Sequence, residues 1–184
     1  MSEPSEPAVP GKEEVLRMLL DASAVRFGEF TLASGEKSDV YIDVKRAWPN
    51  PRSLDLLARA FAARVGSTDR LAGMELGAVP LVVATALRTG HPYVVLRKAV
   101  KEHGTRQAYE GEISPGDRVL LIEDVSTTGG SSVRSVEIIR AAGGRIDRML
   151  VVVDRESGAR ERLGALGVRV EPLATLAELR RARP

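Results

Sequence analysis

The sequence contains no cysteine, so disulfide bonds, thiol chemistry and metal sites with cysteine ligands are excluded. It also has no excess of one charge, because 27 lysines and arginines nearly balance 25 aspartates and glutamates to give a net charge of +2. Bulk charge therefore gives no argument for a nucleic-acid partner. No apolar run approaches the roughly 20 residues that a membrane-spanning helix needs, so no membrane association is predicted. The lack of cysteine fits a cytoplasmic location.

The N-terminal stretch, MSEPSEPAVPGKEE, lacks both the basic segment and the apolar segment of a signal peptide. It is acidic and rich in proline, which predicts a disordered tail over residues 1–12. The remaining residues, 13–184, suffice for one domain with a sizeable core, and a hydrophobic content of 43% is ordinary for a globular protein.

Apolar runs and amphipathic segments alternate through most of the chain, which predicts an α/β fold. The central strands are nearly continuous apolar runs, as expected for a mainly parallel sheet that is buried on both faces and flanked by helices. This core is predicted over about residues 52–184. Ahead of it, within about residues 13–45, FGEFTLASGEKSDVYIDVK predicts two strands around a Ser-Gly turn, which form a small N-terminal hood. The predicted core strands are RLAGMEL, YVVLRK, RVLLIED, RIDRMLVVVDR and VRVEPL.

The stretch VLLIEDVSTTGGSS places two acids, Glu123 and Asp124, at the end of an apolar strand. The residues from Thr127 to Ser131 then lead into a helix, where a glycine-containing turn can aim backbone N–H groups at a phosphate. Carboxylates beside a phosphate repel it unless they bind something else, such as sugar hydroxyls. Both features together suit a ribose 5-phosphate unit. The alternative is an ordinary turn whose serines and threonines cap the helix.

A long polar segment over about residues 98–112 exceeds the usual length of a connection in an α/β fold. It begins with four cationic side chains, Arg97, Lys98, Lys101 and His103. Cations on a mobile loop can close over an anionic leaving group and exclude water. We therefore predict a flexible catalytic loop, and the alternative is a solvated, basic β-hairpin.

Two of these motifs resemble a known family. VLLIEDVSTTGGSS is similar to the motif with which type I phosphoribosyltransferases bind 5-phospho-α-D-ribosyl 1-diphosphate (PRPP), although their commonest form has two aspartates. RKAVKEHG resembles the R-K-x-x-K-x-H-G signature of the orotate phosphoribosyltransferases, which is the more specific match. The resemblance extends from about Glu13 to Leu176. It implies the type I phosphoribosyltransferase fold and the transfer of ribose 5-phosphate from PRPP to orotate, which yields orotidine 5′-phosphate and pyrophosphate in UMP biosynthesis.

The resemblance also implies a role for each matched residue. Glu123 and Asp124 would hold the ribose hydroxyls, and the catalytic residues would be Lys101, His103 and Asp124. The 5-phosphate would be wrapped by Val125, Ser126, Thr127, Thr128, Gly129, Gly130 and Ser131. In a homodimer, Arg97, Lys101 and His103 would serve the neighbour's site and Lys98 its own. Mg²⁺ would be the cofactor, bound mainly through the substrate and without a dedicated protein ligand.

The resemblance assigns the base to a further set of residues. Orotate carries a carboxylate, and Arg155, together with Thr127, would bind it, since the arginine fork suits a planar acid. Tyr41 and Ile42 would lie in the hood near the base. The alternatives are an exposed Arg155 that caps the next helix and hood residues that serve only as core.

The chain also departs from the family pattern. Ala33 stands where many bacterial relatives have lysine, and the predicted pyrophosphate loop with Leu76 and Gly77 has no lysine either. The rival functions are a purine or xanthine phosphoribosyltransferase, a PRPP-sensing regulator that binds nucleic acid, and a catalytically silent homologue. The first rival lacks the catalytic-loop signature, and the near-neutral charge speaks against the second.

Overall fold

The structure is a computed structural model that describes residues 8–31, 35, 37–98 and 108–183. In chain order its elements are α1 (Lys12–Asp21), β1 (Val25–Thr31), β2 (Lys37–Ile42), a 3₁₀ turn (Val44–Arg46), α2 (Pro51–Ala62), β3 (Arg70–Met74), α3 (Val79–Thr89), β4 (Tyr93–Leu96), β5 (Tyr109–Glu110), β6 (Val119–Ser126), α4 (Gly130–Ala141), β7 (Arg148–Asp154), α5 (Ala159–Gly164), β8 (Arg169–Thr175) and α6 (Leu176–Arg181). Each predicted core strand is present, and helices connect the parallel strands of the core.

Six strands form the central sheet in the order β5-β4-β3-β6-β7-β8. All neighbouring pairs are parallel except β4 and β5, so the prediction of a mainly parallel sheet flanked by helices is confirmed. β6 lies in the middle, between β3 and β7, and the run Leu120, Leu121, Ile122 at its centre is buried. Burial on both faces explains why the strand is continuously apolar rather than alternating.

Two hydrophobic cores lie on opposite faces of the sheet. Leu120 and Ile122 point into one core, which they share with α1, α2, α3 and the hood. Leu121 points into the other core, together with Ile139 of α4 and Leu163 of α5. Successive side chains of a strand point to opposite faces, so β6 stabilises both layers at once.

Side-chain caps fix where α2 and α6 begin. Asn50 precedes α2, and its side-chain oxygen accepts from Arg52 N at 2.9 Å, while Pro51 supplies the favoured first helical residue. Thr175 and Glu178 form a reciprocal capping box at the start of α6. These short-range signals are visible in the sequence, which is why the helix starts are predictable.

The hood consists of the antiparallel pair β1 and β2, with an irregular register between Phe27 and Phe30. It is joined to the core through buried Val25, Val40 and Val44, which belong to the same hydrophobic cluster as the sheet. The hood is therefore packed onto one face of the sheet rather than separated from it.

Two segments differ from the prediction. Order begins before residue 13, because α1 starts at Lys12 and the carbonyl of Ala8 accepts from Arg59 Nη1 at 2.6 Å. Near the end of the predicted flexible loop, Tyr109 and Glu110 form β5 and pair antiparallel with β4. Lys101 and His103 lie outside the described residues.

Candidate active site

The acid pair lies inside β6 and not at its end, which corrects the prediction. The strand continues for two residues beyond Asp124, because Val125 and Ser126 pair with Val153 and Asp154 of β7. Glu123 is therefore 5% exposed, whereas Asp124 is only partly buried. The two carboxylates thus occupy different environments although they are adjacent in sequence.

Glu123 is a buried acid with one bonded oxygen. Its Oε1 accepts from Asp124 N at 3.2 Å, and its Oε2 has no hydrogen-bond partner among the described residues. Burial raises the pKa of Glu123 well above its usual value, the charge of Asp124 raises it further, and Lys98 opposes the shift. The unbonded oxygen is an acceptor that a sugar hydroxyl could satisfy.

The predicted phosphate loop includes Thr127, Thr128 and Gly129, and α4 begins at Gly130. Gly129 has φ 79°, a left-handed conformation that favours glycine, and a Cβ there would meet Ala159 Cα at 3.1 Å. No side chain caps α4, so the alternative of a turn whose serines and threonines cap the helix is wrong. The first N–H groups of α4 consequently remain available for an anion, and Ser131 is exposed beside them.

Ser126 is placed differently from the phosphate loop it was predicted to join. Its side chain is 2% exposed, and its Oγ donates to Asp154 Oδ1 at 3.1 Å. The hydroxyl therefore ties β6 to β7 and is turned away from the loop. Val125 also belongs to β6, so the turn between β6 and α4 begins only at Thr127.

Arg155 follows β7 and is held next to the end of β6. Its N–H donates to the carbonyl of Ser126 at 2.9 Å. Its side chain is half-buried, and the buried Nε has no hydrogen-bond partner within the described parts of the chain. The next helix, α5, has Gly158 as its N-cap and no side-chain cap, so Arg155 does not cap it. Buried donors are normally hydrogen-bonded, so this N–H is free for a partner that the described residues do not supply.

A network around Asp154 fixes this loop. Asp154 is fully buried, and its Oδ2 lies 2.5 Å from Arg160 Nε. Its Oδ1 accepts from Glu156 N at 2.9 Å as well as from Ser126 Oγ. The carboxylate thereby holds Glu156, which follows Arg155, and ties this loop to Ser126 of β6. Sequence inspection missed Asp154, although an aspartate at the end of an apolar strand is a recognisable signal.

The predicted pyrophosphate loop follows β3 and faces the acid pair. Leu76 is 66% exposed, and the peptide between Glu75 and Leu76 is cis. Gly77 lies directly against the carboxylate of Asp124. Glu75 Oε1 accepts from Lys98 N at 2.9 Å, so this loop also anchors the start of the predicted catalytic loop. Glu75 was not predicted as a site residue.

The remaining predicted residues lie at the rim of the candidate site. Arg97 pairs with Glu110 across β4 and β5, so its side chain is engaged locally. Tyr41 and Ile42 are half-buried in the hood, and the guanidinium of Arg26 lies 5.0 Å from the Tyr41 ring centre.

Within residues 8–31, 35, 37–98 and 108–183, no group of three or more acidic or histidine side chains could hold a metal ion. The same residues contain no helix long and apolar enough to span a membrane.

Comparisons with known proteins place this site in a family. The family model of the phosphoribosyl transferase domain matches residues 48–165. The orotate phosphoribosyltransferase of Pyrococcus furiosus is 46% identical over 172 residues, which cover 91% of this chain and 94% of the relative. The crystal structure of orotate phosphoribosyltransferase from Aeropyrum pernix has a TM-score of 0.81 and 35% identity, with 91% of this chain and 97% of that chain covered.

A third relative was solved with a ligand. The crystal structure of Mycobacterium tuberculosis orotate phosphoribosyltransferase in complex with PRPP has a TM-score of 0.76 and 32% identity, and the match covers 92% of this chain and 99% of that chain. The fold, the acid pair and the uncapped helix together define a phosphoribosyltransferase of the type I fold. Within that class, the chain belongs to the orotate phosphoribosyltransferase family.

Proposed function

We propose that this protein transfers ribose 5-phosphate from PRPP to orotate, releasing pyrophosphate and forming orotidine 5′-phosphate for pyrimidine biosynthesis. One observation carries the proposal: an acid pair with a buried Glu123 lies beside the N-terminus of α4, and Arg155 Nε at the end of the neighbouring strand has no partner among the described residues. The first two features suit a sugar phosphate, and the third suits a planar acid. The relatives' shared name supports the same substrates.

The acids and the loop would divide PRPP between them. Glu123 and Asp124 would accept hydrogen bonds from the ribose hydroxyls, and the free N–H groups at the start of α4 would bind the 5-phosphate. Thr127, Thr128 and Ser131 are exposed and would add hydroxyl donors. Gly77 and Leu76 would offer backbone groups to the pyrophosphate. The reaction then depends mainly on positioning and on stabilising the charge of the leaving group.

The base would lie between the end of β7 and the hood. Arg155 would bind the orotate carboxylate through its guanidinium, and Thr127 would contact the ring. Tyr41 and Ile42 would pack nearby, since both belong to the hood strand that runs towards the core. This arrangement predicts selectivity for an acidic pyrimidine over a neutral purine.

The catalytic loop would act across a homodimer. Lys101 and His103 would stabilise the departing pyrophosphate in the neighbour's site, joined by Arg97 once its pairing with Glu110 is exchanged. Lys98 would act in its own site, next to Glu75. Exposed Leu87 on α3 and Tyr93 on β4 are large apolar side chains that a second copy of the chain could cover.

Mg²⁺ fits the oxygen-rich environment of this site. The partly exposed carboxylate of Asp124 is an oxygen donor of the kind Mg²⁺ accepts, and the substrate's pyrophosphate and ribose oxygens would supply most ligands. When bound, the ion would neutralise charge on the pyrophosphate. We further propose a cytoplasmic location, in keeping with a reaction that uses soluble metabolites.

The decisive experiment follows the ultraviolet absorbance of orotate after PRPP and Mg²⁺ are added. The proposal expects the absorbance to fall and pyrophosphate to appear in equal amount. A parallel panel of adenine, guanine and xanthine tests the rival substrates. Unchanged orotate together with consumption of a purine would overturn the substrate assignment.

Mixing of inactive variants tests the shared site. Lys101→Ala should keep the fold and lower turnover on the order of 10²–10³-fold, by analogy with the loss of one oxyanion donor. In heterodimers of Lys101→Ala and Asp124→Ala subunits, both defects fall in one site, so about half of the sites should recover. The absence of recovery would contradict loop exchange between subunits.

A further inference from the structure

Glu156 is a loop residue whose backbone has a conformation that is rare for residues with a side chain. It directly follows Arg155, and its φ of 55° lies in the left-handed region. Such a conformation is strained outside glycine and persists only where surrounding contacts determine it, as they often do at ligand-binding sites. The backbone next to Arg155 is therefore held by the contacts of Glu156 rather than by its own preference.

These contacts join the ends of two neighbouring strands. The N–H of Glu156 donates to Asp154 Oδ1 at 2.9 Å, and its Oε2 accepts from Ala177 N at 2.8 Å. β7 pairs with β8 up to the pair Asp154 and Thr175, so the loop after β7 and the helix after β8 meet at one edge of the sheet. Glu156 thus binds the loop that carries Arg155 to the start of α6.

The carboxylate of Glu156 also complements the N-terminus of α6. The capping box of Thr175 and Glu178 satisfies the N–H groups of those two residues. The N–H of Ala177 lies outside this box and donates to Glu156 instead. A carboxylate at a helix N-terminus forms a charge-assisted hydrogen bond and interacts favourably with the helix dipole. This bond is therefore stronger than one between two neutral groups, although Glu156 is exposed.

The same helix contacts the hood on its other side. Arg180 Nη2 lies 2.5 Å from Asp39 Oδ1, and Asp39 precedes Tyr41 by two residues in β2. The guanidinium of Arg183 lies 5.1 Å from the ring centre of Phe27 in β1. An exposed ion pair contributes little to stability by itself. Together, however, these contacts connect α6 to the hood, so the helix touches both elements that would enclose the base.

We propose that Glu156 is a positioning residue for orotate, which fixes the loop of Arg155 to α6 and so sets the direction from which the guanidinium meets the base. This inference rests on the proposed function, because it assumes that Arg155 binds the orotate carboxylate. Glu156 would act through Arg155 without touching the base. Its loss should therefore weaken binding of the base and spare PRPP, whose proposed contacts follow β3 and β6.

The test compares Glu156→Ala with Glu156→Gln, which keeps an acceptor at the same place. We expect Glu156→Ala to raise KM for orotate about 3- to 10-fold, because one hydrogen bond of the loop is lost. KM for PRPP should stay within about 2-fold, since its contacts keep their positions. Glu156→Gln should recover most of the loss. An equal defect in Glu156→Gln would overturn the inference.

Glu178→Ala is the matched control for a merely structural effect. It removes another capping carboxylate from the same helix and changes the net charge equally, but its contacts are with Thr175 and Lys12 and not with the loop of Arg155. We expect Glu178→Ala to lower the stability of α6 and leave KM for orotate near the wild-type value. Equal increases of this KM in Glu156→Ala and Glu178→Ala would overturn the inference, because they would indicate a general loss of α6.

Amide hydrogen exchange in the unliganded protein tests the link independently of the substrate. Arg155 N donates to the carbonyl of Ser126, and Glu156 N donates to Asp154. Both N–H groups should exchange faster in Glu156→Ala and at the wild-type rate in Glu178→Ala, because only the first change frees the loop. If the wild type consumes no orotate, the proposed function fails, yet exchange still shows whether Glu156 holds the loop. Unchanged exchange in Glu156→Ala would overturn the inference.

Discussion

Gly77 and Asp124 lie so close together that the pyrophosphate loop can carry no side chain at this position. A Cβ on Gly77 would lie 2.6 Å from Asp124 Cγ and 2.8 Å from its Oδ1, and closer still to Oδ2. Asp124 cannot easily retreat, since its Oδ1 accepts from Val125 N at 2.8 Å. The loop that would bind pyrophosphate and the acid that would bind ribose are therefore packed as one unit.

Replacement of this glycine should disturb PRPP binding before it disturbs the fold. Gly77→Ala pushes the carboxylate of Asp124 aside, and overpacking of this kind costs about 1–3 kcal/mol of stability. We expect kcat/KM for PRPP to fall on the order of 10²-fold, because the ribose contact and the loop move together. Gly164→Ala is the matched control, since a Cβ there meets nothing within 4 Å. Wild-type kinetics in Gly77→Ala would refute the packing argument.

Local signals made most of the fold predictable, whereas the site depends on pairing between distant segments. The hydrophobic periodicity, Pro51 at the start of α2 and the capping box of α6 are local signals. Each marks an element through residues that lie close together in the sequence. Nothing local shows that β6 continues to Ser126, because that extension is stabilised by pairing with β7.

Burial of Glu123 should leave a signature in the pH dependence of stability. Its pKa is raised in the folded state by burial and by Asp124, so the folded protein holds this proton more tightly than the unfolded chain. The contribution of Glu123 to the free energy of unfolding is therefore fully present below the usual glutamate pKa of about 4.3. It is lost as the pH rises through the higher pKa of the folded state. Stability should fall over that window.

Glu123→Gln removes this titration while it keeps the shape of the side chain. Chemical denaturation at several pH values should show a flatter profile above the usual glutamate pKa for the variant than for the wild type, together with strongly weakened PRPP binding. Glu137→Gln, at an exposed position on α4, serves as the control and should keep the wild-type profile. Identical profiles for Glu123→Gln and the wild type would mean that the buried acid does not titrate in this range.

The network of Asp154 predicts a coupling between stability and base recognition. Asp154→Asn preserves the volume but weakens the bonds to Arg160, Ser126 Oγ and Glu156 N, which should cost about 1–3 kcal/mol. The backbone on either side of Arg155 is then less fixed, so KM for orotate should rise more than KM for PRPP. Ser126→Ala removes a single bond and should cost about 1 kcal/mol with little change in either KM. Equal effects of both variants on orotate would contradict the positioning role.

Arg155 itself should decide whether the site accepts an acid. Its buried Nε has no partner among the described residues, so this donor is not used by the described part of the fold. Arg155→Ala should raise KM for orotate about 10- to 100-fold, because the loss of a hydrogen bond to a charged group costs about 1.5–3 kcal/mol. PRPP binding should stay nearly unchanged. Arg155→Lys should recover only part of the loss, because an ammonium group cannot bind a carboxylate through a planar fork. The control is Arg17→Ala, which removes an arginine from α1. If the KM for orotate were the same in Arg155→Ala and in this control, Arg155 would not belong to the base site.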